Sequence, residues 1–181
     1  SKHFGFIMAT REYAESNGVE SANSSFIHAR YNYYLTPKHS FELFAQSNVD
    51  DFRSLESREL VGIAYRQELT KSQAYGLGLF EEQEKYLVQE QTQKFDQTRF
   101  NLYWVYAHEL NDYSSFSNTF YYQPNIEEFD DWRGFNQLGL RSQLADSIYL
   151  SFGLLMEYDS QPVLDVEKFD ISYKAGFEYE F

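Results

Sequence analysis

Four histidines, His3, His28, His39 and His108, are the side chains of this sequence best suited to moving protons near neutrality. His39 lies among turn formers, His3 near the start, and His108 close to the end of a strand-like run, which leaves His28 with Ser25 or Glu42 as candidate partners. No GxSxG or HExxH spacing surrounds any of them, and serine is spread along the whole chain. No catalytic residue is expected.

Carboxylates offer a second chemistry. Glu127, Glu128, Asp130 and Asp131 cluster in one polar stretch, and Asp50, Asp51 and Glu56 in another. Hard oxygen ligands in such number suit Ca²⁺ or Mg²⁺, which would bridge to lipid phosphates. Their spacing matches no EF-hand loop, so a solvated acidic surface is the preferred reading. The absence of cysteine excludes disulfides and thiolate metal sites. Neither metal nor cofactor is expected.

A third group is larger and more regular. Arg11, His28, Arg30, Glu42, Arg58, Arg66, Glu68, Arg99, Glu109, Arg141, Glu157, Lys174 and Glu178, together with Asp170 and Glu180, recur at alternate positions of extended runs. If that face is enclosed, its charges must pair or keep water, because an isolated buried ion costs many kcal/mol. Enclosed, they form either a polar plug or a narrow ion path. A plug is preferred, since about ten strands fall well short of the ~16 to 18 that leave an aqueous channel.

The elements that carry these residues are strands. In Phe169 to Phe181, the side chains of Phe169, Ile171, Tyr173, Ala175, Phe177, Tyr179 and Phe181 share one face. Asp170, Ser172, Lys174, Gly176, Glu178 and Glu180 share the other. This resembles the closing strand of an outer-membrane β-barrel, read here on a mature chain. Strands are expected near 3–15, 25–35, 40–49, 58–69, 74–84, 95–110, 115–123, 133–144, 147–158 and 169–181, with a count of eight to ten.

Tight turns follow Leu35, Leu69, Leu110 and Leu144. Longer polar connections are expected at 16–24, 48–57, 84–94, 124–132 and 159–168. Short turns at one end and longer loops at the other are the pattern of bacterial barrels, with the short ones and both termini in the periplasm. The expected fold is therefore all-β, a single domain over 1–181, an antiparallel up-and-down transmembrane barrel in the outer membrane.

Seven glycines, Gly5, Gly62, Gly76, Gly78, Gly139, Gly153 and Gly176, fall on the charged face. Inside a narrow lumen they would make room for long arginines, so that face is read as inward. A soluble lipocalin-like barrel would have its apolar face inward instead. Two places disturb the outward face: Glu81 after Leu79, and Asn118 between Phe116 and Phe120. Either Glu81 lies near the outer interface or a bulge shifts the phase.

Composition agrees. Aromatics are 19% of the chain, as expected where rings line two membrane interfaces. No apolar run approaches the ~20 residues of a membrane helix, and mean hydropathy is -0.59. The net charge of -13 argues against a nucleic-acid partner.

The segments Tyr158-Asp159-Ser160-Gln161-Pro162, Lys168-Phe169-Asp170 and Tyr179-Glu180-Phe181 resemble the closing region of the YdiY-like family of salt-induced outer-membrane proteins. Arg30-Tyr31-Asn32-Tyr33-Tyr34-Leu35-Thr36, Gly62-Ile63-Ala64-Tyr65-Arg66 and Leu69-Thr70 also look like it. The likeness runs from about Ala29 onward and implies a monomeric barrel connected with envelope stress, with no catalytic or ligand residues carried over. The expected function is thus a barrel with a charged, largely plugged lumen, serving envelope integrity or acting as a subunit. The alternative is a narrow channel for ions or small solutes, and an outer-membrane hydrolase ranks below both. Expected partners are outer-membrane lipid, lipopolysaccharide, the barrel-assembly machinery acting on the C-terminal strand, and another envelope protein.

Overall fold

The computed structural model describes residues 2–163 and 166–180. It contains β1 (His3–Ser16), β2 (Val19–Thr36), β3 (His39–Asp50), β4 (Leu55–Glu68), β5 (Gln73–Val88), β6 (Gln91–Asn111), β7 (Ser114–Pro124), β8 (Trp132–Ala145), β9 (Ile148–Asp159) and β10 (Phe169–Tyr179). Each pairs antiparallel with the next in chain order, and the ten-stranded sheet curls into an up-and-down barrel wall. A 3-10 turn, Asp51–Arg53, interrupts it between β3 and β4. Among the described residues no helix is long and apolar enough to cross a membrane.

Residues directly opposite in a ladder share a face, so the register carries orientation from strand to strand. Leu43, Ile63, Leu79 and Phe100 lie on one such line, and Phe44, Gly62, Phe80 and Arg99 on the next. The first line is outward: Ile63 is 61% exposed while Phe80 is 2%. Trp104, Phe152, Phe169, Ile171, Tyr173, Phe177 and Tyr179 are likewise exposed on the outer wall. Phe181 lies outside the described residues.

Rings gather at both ends of this apolar band. Tyr122, Trp132 and Tyr158 pack near the loop end, with Trp132 and Tyr158 ring centroids 4.6 Å apart. Phe41 against Tyr65 and Trp104 against Tyr106 do the same near the tight turns.

The loop end differs from expectation at two of its connections. Residues 16–24 and 84–94 are not loops: β1 and β2 meet at Asn17-Gly18, and β5 and β6 at Gln89-Glu90, with positive φ at all four residues. The strands run on past the apolar band, where water solvates their polar side chains and the composition mimics that of a loop. Asn-Gly is itself the strongest short hairpin signal. The connections at 51–54, 125–131 and 160–168 are longer.

Glu81 needs no bulge. The β4–β5 and β5–β6 ladders run without a shift past Val61, Glu81 and Thr98, and Gln83 and Lys85 continue the outer face beyond it. Glu81 therefore marks the loop-end rim of the apolar band. Asn118 donates to Asn136 Oδ1 at 3.1 Å, so two outward amides satisfy each other.

The inner face is less uniformly charged than expected. Phe44, Leu60, Ala64 and Phe80 form a buried apolar cluster inside the wall. Leu55, Tyr86 and Val88 form another nearer the loops, covered by Phe95 and Val163. Strand β1 is also shifted in phase. Gly5 lies opposite Tyr31 and Arg11 opposite Ser25, on the outer face, while Phe4, Phe6 and Met8 point inward. Because β1 carries apolar residues on both faces, its alternation alone gave no direction; the ladder with β2 decides it.

Among the described residues no ladder joins β1 to β10. The facing edges leave a seam, crossed by Lys174 Nζ, 3.7 Å from Glu12 Oε1.

Candidate functional site

The inward parity of β5 continues past Phe80 to Glu82 and Glu84, and around these two carboxylates the lumen is filled. Glu82 accepts from Arg58 Nη2 at 2.7 Å, Arg99 Nε at 2.6 Å and Arg133 Nη1 at 3.1 Å. Glu84 accepts from Arg133 Nη1 at 2.7 Å and Nη2 at 2.9 Å. Arg133 then reaches Asp159, and Arg99 reaches Asp131, at 2.9 and 2.7 Å. Strands β4, β5, β6, β8 and β9 are thereby tied together across the interior.

Burial shows how tightly this lattice closes. Glu82 is 2% exposed and Arg99 1%. Ions so far from water persist only when each is matched, and here three guanidiniums face four carboxylates.

A second group sits closer to the tight turns. Glu42 accepts from Tyr103 Oη at 2.6 Å and Asn32 Nδ2 at 3.0 Å, with Arg30 3.8 Å away. Gly76 makes this possible: a Cβ there would stand 2.1 Å from the Tyr103 ring. The expectation that such glycines accommodate arginines is corrected for this position and for Gly62, which lies under Phe44 and Phe80. Both make room for rings.

Arg53, carried by the 3-10 turn after β3, crosses to the far wall and pairs with Glu157 of β9 and Asp170 of β10. Burial works against its charge, but these two carboxylates outweigh that and hold its pKa above the ordinary guanidinium value. At the opposite end Arg141 donates to Glu178 at 2.9 Å and Glu180 at 2.5 Å, and lies 3.6 Å over the Tyr149 ring.

Of the charged residues named from the sequence, His28, Arg30, Glu42, Arg58, Arg66, Glu68, Arg99, Glu109, Arg141, Glu157, Lys174 and Glu178 are on the inner face. Arg11 is not: it donates outside to Asn23 at 2.6 Å. His28 packs against Phe6 and Phe26, and Ser25 sits on the opposite side of the strand, so no Ser–His pair exists there. The acidic stretch is split. Asp131 turns in to Arg99 and Asn125, while Glu128 accepts from Gln161. Among the described residues no group of acidic or histidine side chains is arranged to hold a metal.

Sequence reasoning missed Glu82, Glu84, Arg133 and Asp159. Their parity was available, since Glu82 and Glu84 continue the face of Gly76 and Gly78, and Arg133 that of Gly139 and Arg141.

An antiparallel barrel wound in chain order, apolar outside and ion-paired within, is a porin-like β-barrel. The chain belongs to the family described as "Protein of unknown function, DUF481", which matches residues 7–181. The YdiY-like resemblance is consistent with that family. A solved structure of the NanC porin, in a rhombohedral crystal form, is similar at a TM-score of 0.56 and 12% identity, over 100% of this chain and 95% of that one. The likeness is one of fold. No curated protein matches the chain.

Proposed function

We propose that the protein is an integral outer-membrane barrel whose lumen is held shut near its loop end by the Glu82 lattice. It serves envelope integrity or the stress response, or acts as a subunit beside other envelope proteins, and it is not an enzyme. The observation that carries the reading is the near-complete burial of Glu82 and Arg99 inside the wall. A lumen that passed water freely at that level would wet them.

Membrane insertion is supported by the outward apolar band between two groups of rings, where lipid would replace solvent. In this reading the tight turns and both termini face the periplasm. Lipid and lipopolysaccharide surround the band, and the assembly machinery engages β10.

Planar-bilayer recording tests the plug. The wild-type protein is expected to stay silent over many insertions, and Arg133→Ala, which cuts ties to Glu82, Glu84 and Asp159, to open measurable steps. A steady single-channel current from the wild type would overturn the plug in favour of a narrow channel. Protein that stays monodisperse in plain buffer would overturn the membrane assignment.

A further inference from the structure

The inward glycines fall into two kinds. A Cβ on Gly62, Gly76, Gly78 or Gly139 would meet another atom at 2.1 to 2.6 Å, so packing explains their presence. A Cβ on Gly153 would find nothing nearer than 3.9 Å, and one on Gly176 nothing within 4 Å. Glycine weakens a strand by roughly 0.5–1 kcal/mol relative to alanine. At these two positions no neighbour requires it, and what they leave is open space.

That space is a cavity of about 500 Å³ on the inner face of β7 to β10, in the tight-turn half of the barrel. It falls within the ~300–1,000 Å³ of typical small-ligand sites. Ser115, Ser117 and Ser151 line it, with Arg141 and Lys174 at its sides.

The charges there are already matched. Arg141 is held by Glu178 and Glu180, and Lys174 faces Glu12. Two cations against three carboxylates repel an incoming anion, and since each carboxylate is already paired with Arg141 or Lys174, none is left to hold a cation. What remains is the Ser115 and Ser117 hydroxyls, each able to donate and accept, beside the Ser151 hydroxyl, which donates to Gly176 O at 3.4 Å, and the bare backbone of Gly139, Gly153 and Gly176.

We infer that this cavity is a binding site for a small, uncharged, polyhydroxylated solute of about monosaccharide size, entering from the tight-turn end. The Glu82 lattice lies beyond it toward the loops, so the solute is held rather than passed.

Saturation-transfer NMR on the detergent-solubilised protein tests this with three probes of one size: glucose, gluconate and glucosamine. Glucose is expected to receive the strongest transfer. The Gly153→Leu/Gly176→Leu double variant, whose Cβ atoms enter open space, is expected to fill the cavity and weaken glucose binding by about tenfold or more. Heat-modifiable gel migration reports whether that variant still folds, and Ser117→Val is the second variant if it does not. Binding of gluconate or glucosamine as well as glucose, or unchanged transfer in the filled and hydroxyl-deleted variants, would overturn the site. The readout is binding and not current, so its failure is separate from a failure of the plug.

Discussion

Glu82 receives three guanidiniums, so neutralising it leaves Arg58, Arg99 and Arg133 facing one another in a dry space. Breaking one partner out of a buried ionic group costs about 3–5 kcal/mol, and Glu82→Gln is expected to lose stability of that order in urea titrations of the folded barrel. Arg141→Gln is expected to leave the same midpoint unmoved, because its pairs with Glu178 and Glu180 are open to water. The two kinds of glycine give a matched comparison. Gly76→Ala drives a methyl into the Tyr103 ring and is expected to cost about 1–3 kcal/mol, while Gly176→Ala meets nothing and is expected to be tolerated. Period-two alternation revealed that Arg58 and Arg99 share an inward face. It did not reveal Glu82, since the Glu81-Glu82 pair puts a carboxylate on each face and disguises the phase. Nor does any local pattern show that Arg133 reaches from β8 to β5, because that contact depends on the curl of the whole wall.

Turns were legible where strands stop at the apolar band and illegible where they overrun it. The β1–β2 and β5–β6 hairpins show the difference. Gly18 has φ of 78°, and Gln89 and Glu90 have φ of 51° and 63°. A side chain in that region costs roughly 1–2 kcal/mol. Gly18→Ala is therefore expected to lower the unfolding midpoint and Glu90→Gly to raise it, each by about 1 kcal/mol in the same titration. Arg53 belongs to another element, the short turn after β3, and its pairs with Glu157 and Asp170 span the mouth. Arg53→Ala is expected to free that turn without unfolding the wall, seen as faster protease cleavage within 51–54 at unchanged heat-modifiable migration.

Among the described residues the sheet is continuous from β1 through to β10, and no ladder joins those two edges. Lipid offers no hydrogen bonds, so each unpaired backbone group on those edges costs several kcal/mol within a bilayer. The chain contains no cysteine, which allows a clean test: Glu12→Cys with Lys174→Cys. A disulfide needs Cβ atoms within ~3.5–4.5 Å, a separation that paired strands provide and two long side chains meeting across a gap do not. In lipid vesicles the oxidised pair is expected to form without added linker. If only a long bis-thiol reagent joins the two positions, the edges remain apart in the membrane as well.

That ionic clasp also bears on how the perimeter behaves. A hoop hydrogen-bonded along every stave has a fixed girth, whereas one whose tenth joint is closed by side chains, Lys174 to Glu12 at the edges and Asp170 to Arg53 across the mouth, can widen there while the nine ladders stay intact. The joint borders the wall that carries Gly176, so loosening there would enlarge the proposed solute site and leave the Glu82 lattice untouched.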